Sequence, residues 1–397
     1  MNGMAVSGEL LDAVSRARRP ALVAGAAGIL ASAAGFALVP DRFFPSWLFA
    51  CMFCLGLALG CQAVLMLNHV TGGAWGIPIR RSLEAATRTL PLVALFFLPL
   101  FLGLHRLYEW ARPEDVARDA ILRHKTPYLN VPFFAGRAIL CFAVWMAFAY
   151  FLNRWSREQD AGGSGRAITR RLQLLSSAGL VIYGLTITFF SIDWVMSLEP
   201  HWFSTMYGVL FIAGQALAGF SFVIALTVAL SRYRPLSEFI HREHFHDLGK
   251  LMLAFVMFWA YVSFSQYLII WSGNLPEEIP WYLRRLNGGW GWIGIALVLF
   301  HFLLPFLLLL PASANRNARV LMSVAGLVLL MRIADLFWYV RPATSPVPRL
   351  SFHWMDLAAP IGVLGMWLFV FLGQLARRPL LPVHDPEYLE ALEHGAH

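Results

Sequence analysis

Charged side chains are scarce in this chain. Asp, Glu, Lys and Arg make up 14% of its 397 residues, where a soluble globular protein carries about 25%. So few charges cannot cover a water-solvated surface of this size, and 58% hydrophobic residues point to the lipid bilayer as the solvent. Cysteine is scarcer still: Cys51, Cys54, Cys61 and Cys141 all fall inside apolar runs. Cys51 and Cys54 form a C-x-x-C, but in mid-helix and with no second pair, so small packing residues are expected. An iron-sulfur cluster held by this chain alone would need four thiolates able to converge. A nucleotide-binding loop is missing, and so is any long polar segment. The longest connections between apolar runs reach about 20 residues, which leaves no room for a soluble catalytic domain.

Apolar length is what the chain has in excess. Crossing about 30 Å of hydrocarbon takes roughly 20 apolar residues at about 1.5 Å each. Ten runs meet that requirement: 20–39, 46–68, 90–109, 131–153, 172–192, 205–230, 248–271, 289–310, 318–340 and 354–375. None shows the alternating polar pattern of barrel strands, so helices must satisfy the backbone internally and a β-barrel is excluded. The expected fold class is all-α integral membrane, with one ten-helix domain over 20–375, a short segment 1–19 before it and a tail 376–397 after it. Arg16, Arg18 and Arg19 followed by Ala31-Ser32-Ala33 imitate a cleavable signal. The apolar stretch is longer than a signal h-region, so a retained first helix is expected.

In a soluble protein a net charge of +8 would suggest nucleic acid. Here its distribution matters more. Assigning the N-terminus, alternate loops and the C-terminus to one side collects 19 Lys and Arg there, against 9 on the other side and 3 within or at the ends of spans. The positive-inside rule then places both termini in the cytoplasm of a bacterial inner membrane. The loops on that side, such as Arg154 to Arg171, are basic and glycine-containing and are expected to be solvated. The opposite loops, 191–202 and 271–282, are aromatic and punctuated by proline. They are expected to form a docking surface as well as an interfacial aromatic belt. Gly72-Gly73-Ala74-Trp75-Gly76 and Gly288-Gly289-Trp290-Gly291-Trp292 echo one another near span edges, which raises the question of an internal duplication.

An ionisable group at the bilayer centre costs about 2.5–3.5 kcal/mol on insertion scales, so each is a functional hypothesis. His301 lies mid-span between two phenylalanines, and Arg332 and Asp335 share a helix face three residues apart. Arg137 opens the fourth span, Asp193 closes the fifth and Asp356 starts the tenth. Apart from His301, these residues favour the outer half. His301, Arg332, Asp335, Asp193 and Asp356 are candidates for proton transfer, or for ion pairs and hydrogen bonds that fix helix packing. His69 and Trp75, beside the first glycine pair, could engage a quinone head group, as could Arg137; His69 could equally cap a helix. A b-type haem needs two facing histidines at mid-depth, and only His301 sits there. His241, His244 and His246 lack thiolates and regular ligand spacing, so no metal site is expected.

Four segments carry a resemblance: "HVTGGAWG" (69–76), "DWVMSLEPHWFSTMYG" (193–208), "HDLGKLMLAFVMFWAYVSFSQYLIIWSGNLPEEIPWYLRR" (246–285) and "SFHWMDLAAPIG" (351–362). The chain resembles the F subunit of alternative complex III, a bacterial quinol:electron-acceptor oxidoreductase, and through it the polysulfide-reductase-type membrane subunits. The resemblance covers nearly the whole chain. It implies two four-helix bundles flanked by one extra helix at each end. The implied partners are a second, similar quinone-binding membrane subunit, a periplasmic iron-sulfur protein and cytochrome c subunits. Haem c and iron-sulfur clusters would then reside in those partners, and this chain would bind no cofactor of its own, quinol being the one ligand left open to it. In that arrangement the sister subunit is the better candidate for quinol oxidation, with scaffolding and proton conduction left to this one. The chain is therefore not expected to catalyse a reaction alone. A different class of function shares the span count and the buried charge pair: a secondary transporter, whose paired broken helices are only weakly suggested by Pro305 and the Gly-rich span edges.

Overall fold

The computed structural model describes residues 8–162, 165–345, 349–382, 384–386 and 388. Residues 1–7 of the N-terminal segment and 389–397 of the tail lie outside it. No strand occurs among the described residues. Eleven long elements organise the chain: α1 (Gly8–Leu38), α2 (Pro40–Thr71), α3 (Ile77–Thr87), α4 (Leu90–Phe101), α5 (Val131–Asp160), α6 (Gly165–Trp194), α7 (Tyr207–Leu230), α8 (Arg242–Gly273), α9 (Trp290–Leu309), α10 (Ala318–Thr344) and α11 (Met355–Leu375). Nine of them are individually long and apolar enough to cross a membrane, and α3 with α4, bent by 40° at a short break, passes the same test as a pair. The protein is a multi-pass membrane protein of about ten crossings.

Boundaries follow local chemistry. Asn130 Oδ1 accepts from the Phe133 N–H at 2.9 Å to start α5, and Asn317 does the same for Arg319 at 3.0 Å to start α10. Asn274, in the left-handed region at φ 49°, ends α8. Two expectations need correcting. The third crossing begins well before residue 90: all eleven residues of α3 are buried, so Arg80, Arg81 and Glu84 belong to the helix core and not to a solvated loop. The Arg154 to Arg171 stretch is largely the ends of α5 and α6, with Ser156 and Gln159 buried.

α2, the α3–α4 crossing, α5 and α6 pack as one four-helix bundle, and α7 to α10 as a second. Between them runs α2, whose most apolar window is entirely buried. It meets α7 where neither Gly60 nor Gly219 has room for a side chain. The two outlying helices, α1 before the first bundle and α11 after the second, pack antiparallel against each other. A Cβ on Gly25 would stand 2.6 Å from the Met366 nitrogen, and one on Gly365 would stand 2.6 Å from the Gly25 Cα. Small residues are what allow such backbone contact in lipid. Gly365→Leu is therefore expected to destabilise the protein by about 1–3 kcal/mol through overpacking. Thermal unfolding in detergent reads this directly, and an unchanged midpoint would disprove the tight crossing.

The two glycine pairs stand at different places in their bundles. Gly73 (φ 97°) and Gly289 (φ 94°) both supply a positive φ just before a helix starts. One precedes the second crossing of its bundle and the other the third, so the shared need is local. On the face opposite the chain ends, the aromatic loops pack substantially on themselves. Trp202 and Trp281 stack with centroids 4.8 Å apart, and Trp194 and Trp281 are buried. A short helix, Ile279–Leu286, lies over the end of the second bundle.

Candidate functional site

The second bundle buries an imidazole and an ion pair close to one another. In α9 the turn Leu297–Leu303 is a π-helix. Pro305 explains the strain: it has no N–H for the carbonyl four residues back, which belongs to His301, and its ring crowds that carbonyl. Widened turns of this kind recur at functional sites. His301 projects from it, completely buried, and neither ring nitrogen has a hydrogen-bond partner within the protein. Its ring meets Trp259 of α8 edge-on at 4.2 Å between centroids.

From α10, Arg332 donates through Nη1 to Asp335, both essentially inaccessible. The guanidinium occupies the space that a side chain on Gly214 of α7 would take, and lies 5.7 Å from the Phe211 ring centroid. Asp335 also forms part of the wall of a cleft of about 740 Å³ between α8, α9 and the C-terminal end of α10. Trp259 lines that cleft and stands between it and His301. Three of the residues singled out from the sequence, His301, Arg332 and Asp335, are thus brought into one neighbourhood.

The helix Ile279–Leu286 closes one end of the cleft with Trp281 and Tyr282. Arg285 anchors it. This side chain is fully buried, lies 3.7 Å from the Trp281 ring centroid, and donates to the Trp281, Trp338 and Tyr339 carbonyls and to Glu199 at 2.6 Å. Burial pushes the Tyr282 phenol up to about 12, so it remains a neutral hydroxyl at physiological pH.

The other candidates stand apart. Asp193 is held by Arg137 in a two-pronged pair of 2.7 and 2.9 Å, with the guanidinium 3.9 Å from the Tyr128 ring centroid, which ties α5 to α6. Asp356 accepts from Ser46 at 2.6 Å and from the His353 N–H at 2.9 Å, and pairs with Arg341 at 3.2 Å, joining α11 to α2 and α10. Neither joins the His301 neighbourhood. His69 is buried at the terminal end of α2, and Trp75 Nε1 donates to the Gly72 carbonyl at 3.0 Å. They sit at the opposite membrane face from Arg137, so the three proposed quinone ligands do not converge.

A second polar centre escaped the sequence reading. Glu84, buried in α3, accepts from Arg81 at 2.9 Å, from Ser156 at 2.7 Å and from Arg378 at 3.1 Å. Arg81 also reaches Ser156 at 2.7 Å and Asp160, while Arg80 pairs with Asp385 beyond α11. The i, i+3 spacing of Arg81 and Glu84 was the available signal. The four thiols are all buried, and Cys51, Cys61 and Cys141 point at backbone carbonyls, which does not suit a shared cluster. Among the described residues no group of three or more His, Cys, Asp or Glu is placed to hold a metal ion. Compared with protein-family models the chain matches none, and compared with curated proteins it gives no significant match.

Proposed function

We propose that this chain is a membrane subunit of a bacterial respiratory quinol:electron-acceptor oxidoreductase, holding no redox metal itself and contributing scaffold and a path for protons. The observation that carries the reading is the buried neighbourhood of Arg332, Asp335 and the unpartnered His301, placed at a π turn behind a lipid-accessible cleft. A carboxylate, a guanidinium and an imidazole at membrane depth are the groups that proton relays use. The segments resembling the F subunit of alternative complex III favour the same reading. In it, quinol gives up two electrons to iron-sulfur and haem c centres of partner subunits, and two protons leave with them. Both termini lie in the cytoplasm. The partners are a similar membrane subunit, a periplasmic iron-sulfur protein and cytochrome c subunits.

Membranes from a strain lacking the gene are expected to lose quinol:acceptor activity. The wild-type gene should restore it, with iron-sulfur and haem proteins co-purifying with the product. Normal quinol oxidation in the deletion membranes would refute the proposal. A secondary transporter is the second reading, favoured by the break between α3 and α4. Transporters usually break corresponding helices in both halves, whereas α8, in the corresponding place, runs unbroken from Arg242 to Gly273. Substrate uptake by vesicles containing this chain alone would replace the leading reading.

A further inference from the structure

The cleft between α8 and α9 presents hydrogen-bond donors that the protein does not satisfy. Trp259, Ser263 and Trp338 all line it, and Trp259 Nε1, Ser263 Oγ and Trp338 Nε1 are each shielded from solvent with no protein group in hydrogen-bond geometry. Trp259 Nε1 comes near the Asp335 carboxylate without completing that bond. An indole N–H can only donate, and a buried donor left unmatched is unfavourable. Gly294 lines the cleft beside the Trp338 edge, where a Cβ would come into ordinary contact 4.0 Å from Nε1 and a larger side chain would take up cleft volume. Unmatched donors from α8 and α10 around one cleft call for a ligand that supplies acceptors.

The rest of the lining narrows the ligand class. Phe264, Tyr267 and Tyr282 offer aromatic faces for a flat ring. The mouth opens where Tyr261 and Val298 are exposed on the lipid-facing sides of α8 and α9, which suits a long apolar tail. A volume of about 740 Å³ accommodates a substituted ring and the start of such a tail. The charged side chain in the lining is the acidic Asp335, and its Arg332 partner is already engaged, so a phosphate head group is disfavoured. A neutral ring bearing carbonyl oxygens fits.

We infer that this cleft binds the head group of an isoprenoid quinone entering sideways from the bilayer. Its ring carbonyls accept from Trp338 Nε1, Ser263 Oγ and Trp259 Nε1, and its tail leaves towards lipid. The inference rests on the quinol-oxidoreductase reading and adds the position: the second bundle, and not His69, Trp75 or Arg137.

The test uses the full-length chain in phosphatidylcholine nanodiscs titrated with decylubiquinone, bound quinone being measured after extraction. Wild type should bind saturably. Trp338→Phe and Ser263→Ala should each weaken binding about three- to tenfold, the range for loss of one hydrogen bond. Gly294→Leu, which fills the cleft, should abolish it, and His69→Ala should leave it unchanged. Unfolding midpoints near wild type in these variants separate lost binding from lost fold. The inference is overturned if wild type shows no saturable binding and retains only phosphatidylcholine. Equal affinity in the Trp338→Phe/Ser263→Ala double variant and in Gly294→Leu overturns it too. Such a failure leaves the respiratory-subunit reading intact, because that stands on the deletion strain. Normal quinol oxidation in the deletion strain together with saturable binding here would remove that reading and keep the cleft.

Discussion

Asp335→Ala, with Arg332 retained, is expected to destabilise the protein by about 3–5 kcal/mol, enough to deplete it from membranes. The cost comes from what remains. Arg332 is buried against the Phe211 ring, and Gly214 lacks a side chain only because the guanidinium fills that space. Without Asp335 the cation keeps its desolvation penalty and loses its counter-charge. Replacing both partners removes that penalty, since an apolar pair of similar volume is often neutral or stabilising. The double variant Arg332→Met/Asp335→Leu should therefore regain near wild-type abundance and unfolding temperature. If the proposed function holds, it should also assemble with the partner subunits and yet fail to support quinol-linked proton release. That combination separates a proton route from a helix lock. If the double variant restores proton release as well as assembly, the pair serves packing alone.

The membrane spans were legible because bilayer thickness sets a length and lipid sets a composition, and both act on contiguous residues. The broken crossing was not. Arg80, Arg81, Glu84 and Arg88 depress the hydropathy of α3 and its junction with α4. What makes most of them tolerable in a buried helix is neutralisation by residues far along the chain, Asp160, Arg378 and Asp385. A pair at i, i+3 such as Arg332 and Asp335 can be read from spacing. Arg137 with Asp193, 56 residues on, cannot. The same limit explains why six residues chosen as unusual in lipid resolve into one neighbourhood and two locks. Sequence marks an intramembrane charge as costly but does not show what compensates it. The cleft was hidden for a related reason, because its lining is drawn from α8, α9 and α10, which lie far apart in the chain. The π turn could have been anticipated, since Pro305 stands four residues after His301.

Glu84→Ala is expected to have an effect of comparable size, about 3–5 kcal/mol, at the face that carries the chain ends. Glu84 is shared by Arg81, Ser156 and Arg378. Its loss does not strand Arg81, which keeps Asp160 and Ser156. It does strand Arg378, whose remaining bond is to the Asn153 carbonyl at 3.2 Å. Arg378 introduces the segment beyond α11 in which Leu380 and Leu381 are buried. The variant should therefore loosen that segment first, and limited proteolysis should cut after residue 378 before any transmembrane helix unfolds. Adding Arg378→Ala removes the stranded cation and should recover part of the unfolding temperature, while the segment stays protease-sensitive because its anchor is gone. Losses that simply add in the Glu84→Ala/Arg378→Ala variant would mean that the two residues act independently and that the buried carboxylate is not what holds the segment to the first bundle.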